Sequence, residues 1–404
     1  MVSRDMEKSK KAVVKAAKSV RAGSIAKNLI PADYSMLAEC VAASDLIFES
    51  AKEDLEIKKM ITRLVAENMS AHAIACSGTS GLSITTLAEC FSEEKRGHYF
   101  GVHMFNPPYN LTLCEVIPTE YSDDKVFAAL KTYLRDTLHR TVVEVKDSPA
   151  FLGNRIGFQF INEAMQYAEK YADNGGIDYI DAILGCYTGR AMAPLTTSDF
   201  VGLDVHKAIV DNLYANTNDY AHDTFVLPQF AEKLIAEGRL GRKVGVGFYQ
   251  LVRYDNGLKR MTVYDIATDT FRDQMKYVFP FAQNMLHALQ KGSYTEAFAT
   301  LVSNHSQEAE LAVEFLLKYV LYALMATEQV GYNVHAADDV MATGFNWCPP
   351  LAVADALSTV CDFEKLVEQR LMGDKTFANV DVKHLLSLIE PSQYDYRIYF
   401  KAER

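Results

Sequence analysis

The sequence has no apolar run long enough to cross a membrane. Its most apolar long stretch, residues 311–326, is broken by Glu314 and Lys318, and a span needs ~18 uninterrupted apolar residues. It has no C-x-x-C pair either. The cysteines (Cys40, Cys76, Cys90, Cys114, Cys186, Cys348 and Cys361) are seven, an odd number, and widely spaced. That argues against a disulfide framework or a zinc site and for scattered reduced thiols, with no metal expected. Positive charge is not in excess: 41 basic against 52 acidic residues leave a formal charge of −11. Such a surface repels phosphate backbones, so no nucleic-acid partner is expected. Arg4, Asp5, Glu7 and Lys8 are followed by no apolar h-region, so no secretory signal is read and a cytoplasmic location is expected. Nor does any G-x-G-x-x-G string occur. Gly245-Val246-Gly247 comes nearest, but without a third spaced glycine and a following helix it is not a phosphate loop.

What is present is the composition of a packed globular protein. The chain has 404 residues, 49% apolar and 23% charged. At about 150 residues per domain, two to three domains are expected. Residues 3–21 read as an exposed basic helix. Strand candidates at 46–48, 73–76, 99–102 and 141–145 alternate with helical stretches at 54–66 and 125–138. That alternation predicts crossover units and a parallel sheet. After Asp147-Ser148-Pro149 the texture becomes helical, notably over 156–171 and 204–214. Residues 241–268, with the turn signal Asp255-Asn256-Gly257, predict a small hairpin, and 274–389 is helical again. Boundaries fall at 149 and 270, giving segments 1–149, 150–270 and 271–404. The tail from 360 carries no chemistry, and Tyr394, Tyr396, Tyr399 and Phe400 read as packing.

An internal repeat cuts across these segments. Asp181-Ala182-Ile183-Leu184, Pro194-Leu195 and Asp199 are echoed by Asp339-Val340-Met341-Ala342, Pro350-Leu351 and Asp355. The Pro-to-Asp spacing is five in both copies. This predicts two related helical units packed as a pair.

Candidate chemistry gathers at four places. His103 ends an apolar strand just before two prolines, where open α/β sheets put their ligands. Glu115 lies inside the apolar run Leu113–Ile117 and needs a buried partner. A carboxylate beside an imidazole orients it as a general base. Ser77-Gly78-Thr79-Ser80-Gly81 follows a strand and offers hydroxyl and backbone donors; a plain helix-capping turn is the competing reading. Asn154-Arg155 opens the second region, where an amide can bind a substrate oxygen or simply start a helix.

Together these pieces resemble the 3-hydroxyacyl-CoA dehydrogenase family. The matching stretches are CSGTSGLSIT (76–85), GVHMFNPP (101–108), LCEVIP (113–118), KDSPAFLGNRIG (146–157), DFVGLD (199–204) and GRKVGVGFY (241–249). They occur in the family's order and cover roughly residues 2–250. The doubled helical unit is similar to the longer members. The resemblance implies a Rossmann-like sheet followed by two helical 6-phosphogluconate-dehydrogenase-like units, and oxidation of 3-hydroxyacyl-CoA to 3-oxoacyl-CoA with NAD in fatty-acid β-oxidation. It implies His103 as base, Glu115 as its partner, and Ser80 and Asn154 as holders of the reacting oxygen. It also implies Glu53, Lys58, Ser80, Asn106 and Lys243 around the cofactor. Lys18 and Arg21 fall near the CoA phosphates, although the family's contacting serine falls on Ala16. An acyl-CoA substrate and a homodimer through the helical region are the partners implied.

One departure stands out. The family opens with a strand, the glycine-rich loop, a helix and a second strand ending in a ribose-binding acid. Met1 falls about one residue after the place of that acid. The expectation from sequence is therefore a truncated domain, a fragment without its N-terminal glycine-rich NAD-binding unit, which binds NAD weakly or not at all. The alternative function is a non-catalytic acyl-CoA-binding or oligomerisation remnant.

Overall fold

The computed structural model describes residues 1–20, 23–254 and 256–401. It divides into two compact units. The first holds residues 1–104 and 114–142, the second 105–113 and 143–404.

In the first unit, β1 (Val2–Ser3) and β2 (Ala32–Asp33) pair in parallel. The basic helix Met6–Val20 lies between them in sequence. It starts later than the expected residue 3 because the Asp5 carboxylate accepts the Lys8 N–H at 2.8 Å, a helix cap. Ser9, fully buried, donates to the Ala32 carbonyl at 2.6 Å and ties the helix to β2. The sequence reading places no strand ahead of residue 46. These two escape it because each is only two residues long.

The main sheet has β3 (Leu46–Glu49), β4 (Ile74–Ser77), β5 (Tyr99–Met104), β6 (Leu113–Ile117) and β7 (Thr141–Glu144), in that spatial order. β3, β4 and β5 run parallel, joined through helices Leu55–Asn68 and Ile84–Ala88. β6 returns antiparallel to β5. Residues 105–112 are too few for a helical crossover, which needs about a dozen. One face of these strands is core: Phe100, Val102, Cys114 and Val116 pack with Phe127, Leu130 and Leu134. Strand alternation then turns His103 and Glu115 to the opposite face.

The second unit is mostly helical. Its long elements include Gly153–Lys170, Leu203–Asn216 and the 24-residue helix Gln307–Val330. The expected hairpin forms from β8 (Tyr249–Arg253) and β9 (Lys259–Asp265). Its turn uses Gly257 at φ 81, a conformation that favours glycine; Asp255 lies outside the described residues. β10 (Thr270–Asp273) adds a third antiparallel strand that the sequence does not announce, since TFRD has a single apolar residue to signal it. Among the described residues no helix is long and apolar enough to cross a membrane.

Two aspartates cap equivalent-looking helices. Asp181 accepts the N–H groups of Leu195 (2.8 Å) and Thr196 (2.9 Å) at the start of helix Pro194–Val201. Asp338 accepts that of Leu351 (2.9 Å) at the start of helix Pro350–Ser358. Asp338, not the neighbouring Asp339 of the sequence repeat, makes this cap. Asp339 instead accepts the hydroxyl of Tyr394 at 2.7 Å. The tail packs as expected, with Phe400 buried and its ring 4.9 Å from that of Phe298.

His206 is fully buried, with Nε2 3.0 Å from the Asn162 side-chain oxygen. Burial pushes its pKa down to about 3. Unfolded, it takes a proton near pH ~6.5, so its contribution to stability falls as pH drops from there towards 3. Burial pushes Asp181, Asp199 and Asp338 up to about 6. Their contribution has the opposite sign and is lost as pH rises from ~3.9 to 6. In urea unfolding, the stability advantage of the native chain over His206→Gln should therefore shrink steadily below pH ~6.5. An advantage constant from pH 7.5 to 5 would refute this assignment.

Candidate active site

β5 and β6 pair with His103 directly opposite Glu115. Directly opposed residues of an antiparallel pair share a face. The imidazole Nδ1 lies 2.7 Å from the Glu115 Oε2. Both are buried, His103 at 4% exposure and Glu115 at 0%. A carboxylate can only accept, so Nδ1 carries the hydrogen and donates it. In the neutral imidazole the lone pair is then on Nε2, the tautomer of a general base. The residue types are legible in the sequence. Their direct opposition comes from the antiparallel return.

A second cluster joins the loops that follow β3 and β4. Glu49 ends β3, and Lys58 lies on helix Leu55–Asn68. Lys58 is 1% exposed, its Nζ 3.1 Å from both Glu49 oxygens and 3.4 Å from Glu53 Oε2. The Ser77 hydroxyl donates to Glu49 Oε2 at 2.7 Å. Glu53 Oε1 accepts from the Thr79 hydroxyl at 2.5 Å and from the Ser80 N–H at 2.9 Å. The structure thus brings Glu53, Lys58 and Ser80 together. Glu49, Ser77 and Thr79 complete the cluster; Ser77 and Thr79 lie in the hydroxyl-rich string the sequence singles out, and Glu49 is the member that sequence reasoning missed. A signal exists for Glu49: like Glu115, it is an acid at an apolar run.

Beside β3 lies a cleft of about 800 Å³. Its walls include Leu46 and Phe48 from the strand, Ser50 and Lys52 from the loop after it, and Arg4 and Lys8 from the N-terminus. Lys18 is exposed in the last turn of helix Met6–Val20. Arg21 lies outside the described residues.

Asn106, Asn154 and Lys243 belong to the second unit. Asn106 is exposed. Asn154 is buried in the first turn of helix Gly153–Lys170, just after Ala150 and Phe151 at φ 59 and 55. Its neighbour Arg155 is held by Asp219 at 2.7 Å. Lys243 is exposed and paired with Asp204. The glycine string beside it packs on a carboxylate. Asp199 accepts the N–H groups of Phe248 (2.7 Å) and Tyr249 (2.9 Å), and a Cβ on Gly247 would collide with Asp199 Oδ1.

Comparison with known proteins adds the lineage. The sequence model "3-hydroxyacyl-CoA dehydrogenase, NAD binding domain" matches residues 2–148, and "3-hydroxyacyl-CoA dehydrogenase, C-terminal domain" matches residues 151–251. The "Hydroxyacyl-coenzyme A dehydrogenase, mitochondrial" of Homo sapiens is 30% identical over 257 residues, 61% of this chain and 80% of that protein. The chain belongs to the 3-hydroxyacyl-CoA dehydrogenase family. The "Probable 3-hydroxyacyl-CoA dehydrogenase" of Bacillus subtilis (strain 168) is 30% identical over 345 residues, 84% of this chain but 42% of that protein. This chain likewise covers only 62% and 66% of the next two curated relatives. The fold of 3-hydroxybutyryl-CoA dehydrogenase from Escherichia coli K12 matches with a TM-score of 0.68, at 18% identity, over 96% of this chain and 93% of that one.

These matches correct one expectation. Residues 2–148 match the family's NAD-binding domain, so the expectations of a chain lacking that unit and of a fragment are not supported. That expectation comes from the absence of the glycine string, which does not occur in the sequence, and from the place of Met1 against the family's opening. The family's domain is recognised by far more than that string. NAD is the cofactor this domain indicates, and the residues present fit a dinucleotide. The cleft volume lies in the range of small-molecule sites, ~300–1,000 Å³. Arg4, Lys8 and Lys52 on its walls supply positive charge for a pyrophosphate.

The buried ion pair gives a direct prediction. Lys58→Met leaves the Glu49 carboxylate buried beside Glu53 without its cation. Urea unfolding should show a loss of about 3–5 kcal/mol. A loss below about 1 kcal/mol would mean that water, not Lys58, compensates Glu49.

Proposed function

We propose that this chain oxidises 3-hydroxyacyl-CoA to 3-oxoacyl-CoA with NAD, in the manner its family name describes. The observation that carries the reading is the buried His103–Glu115 pair, 2.7 Å apart on directly opposed strand positions. A non-catalytic binding remnant has no need of such a pair, and the family matches favour the dehydrogenase.

NAD, when bound, supplies the hydride acceptor. The chain's own residues do the rest. His103 takes the 3-hydroxyl proton on Nε2 as C3 loses hydride and the C–O bond becomes a carbonyl. Glu115, bonded to Nδ1, stabilises the imidazolium that forms. Ser80 and Asn154 hold the reacting oxygen. Glu53, Lys58, Asn106 and Lys243 sit around the cofactor. For Glu53 and Lys58 the reading is supported by their shared cluster with the Ser80 backbone. Lys18 and Arg21 serve the CoA phosphates.

The same reading divides the chain at 149 and 270, with segments 150–270 and 271–404 as related helical units. Support comes from the paired caps of Asp181 and Asp338. It extends to Asp199 and Asp355, each of which grips a later backbone N–H, Asp355 that of Ser392 at 2.8 Å. A homodimer through the helical region and a cytoplasmic location complete it.

His103→Gln should keep the circular-dichroism spectrum and cut turnover of a 3-hydroxyacyl-CoA by at least ~10²-fold, the lower range for a positioned base. Near-normal turnover in the folded variant would sink the assignment.

A further inference from the structure

The second unit contains a buried cation that no carboxylate among the described residues neutralises. Arg190 is 2% exposed. Its guanidinium carbon lies 3.8 Å from the ring centre of Phe160, 4.8 Å from that of Trp347 and 5.0 Å from that of Tyr319. Nη1 donates to the carbonyl and hydroxyl of Thr188, at 3.0 and 3.2 Å. Nε and Nη2 have no hydrogen-bond partner among the described residues. Burial pushes the guanidinium down to about 10, with Tyr319 and Cys348 as its electrostatic neighbours. Two other buried cations of this unit are paired: Arg155 with Asp219 at 2.7 Å and Lys318 with Glu163 at 2.9 Å.

Aromatic faces attract a cation but satisfy none of its in-plane N–H groups. Leaving those groups buried and unbonded costs about 1–3 kcal/mol, more when charged. Nε and Nη2 are neighbours on one edge of the planar group, the side-on fork that takes two oxygens of a carboxylate or phosphate at once. Arg190 also forms part of the wall of a cavity of about 180 Å³, shared with Asn346, Tyr399 and Lys401. Those three add an amide, a hydroxyl and a second cation. The tail that reads as mere packing is therefore one wall of a positively charged hole.

We propose that this cavity binds a small oxyanion, a carboxylate or a phosphoryl group, drawn electrostatically by Arg190 and Lys401 and gripped side-on once a small shift of the guanidinium bares Nε and Nη2, each of which has under 1 Å² of accessible surface. The site lies wholly within the second unit and is independent of the His103 chemistry. Its size admits a small anion or the anionic end of a larger ligand.

Trp347 is the chain's single tryptophan and stacks on Arg190, so its fluorescence reports the site. The intact chain is titrated with sodium phosphate and, separately, sodium acetate, at ionic strength held constant with chloride. A saturable change with phosphate, acetate or both, absent with chloride, is expected; the tighter of the two identifies the source as phosphoryl or carboxylate. Arg190→Met should weaken it by about tenfold or more, the effect of losing charged hydrogen bonds. Lys401→Ala, at an exposed position, should weaken it less. Arg190→Lys, which keeps the charge but loses the fork, serves if the methionine variant does not fold, and it too should weaken binding. The proposal is overturned if no saturable response appears, if chloride reproduces it, or if the Arg190 variants retain it; the aromatic box is then all that Arg190 needs.

Discussion

Glu115 has no solvent exposure and sits in a strand whose neighbours are all apolar. A carboxylate there must be met by a donor, or the strand does not stay buried. The donor is His103 on the adjoining strand, and this pairing fixes the register of β5 against β6. A slip of either strand by one residue would turn its own ionisable side chain into the core occupied by Phe100, Val102, Cys114 and Val116. The interaction that holds the hairpin in register is the same one that sets the imidazole's tautomer. Structural and chemical constraints coincide in one hydrogen bond, and the loops after β3 and β4 are built at the ends of strands aligned with it.

The parallel part of the sheet follows a similar logic. Glu49 and Lys58 bury opposite charges against each other, and Ser77 joins the pair from β4. Glu53 then clamps the Thr79–Ser80 loop. The cluster fixes the positions of two loops that follow parallel strands, where such sheets bind ligands. In the second unit, Asp181, Asp199 and Asp338 act in the same way, capping helices or gripping extended backbone from buried positions. Buried carboxylates, each answered by donors, recur as the means by which this chain positions its loops.

Much of this is legible in the sequence. The strand–helix alternation up to residue 147, the switch to helix beyond it and the hairpin near Gly257 follow from periodicity and turn chemistry, which are local. His103, Glu115, Ser80 and Asn154 stand out through motif order. Glu49 does not, although its setting at the end of Leu46-Ile47-Phe48 mirrors that of Glu115. The sequence repeat sets Asp339 against Asp181, whereas Asp338, one position earlier, is the residue that caps the helix beginning at Pro350. The missing glycine string also misleads. A domain is specified by its whole pattern of strands, helices and buried positions, so one short motif says little about whether the rest is there.

The sequence by itself determined the kinds of element, the set of ionisable residues placed in apolar surroundings and the family. These depend on composition and short-range pattern, which the chain carries wherever it folds. Only the tertiary structure decided which buried charge meets which partner. It turned β6 antiparallel and so set Glu115 opposite His103, joined Lys58 to two glutamates, and left Arg190 among aromatic rings with no acid beside it among the described residues. Such pairings join residues from 9 positions apart, as Lys58 to Glu49, to 155, as Lys318 to Glu163. They are chosen by the geometry of packing, because a buried charge needs its partner within a few ångströms and chain distance does not enter that energy.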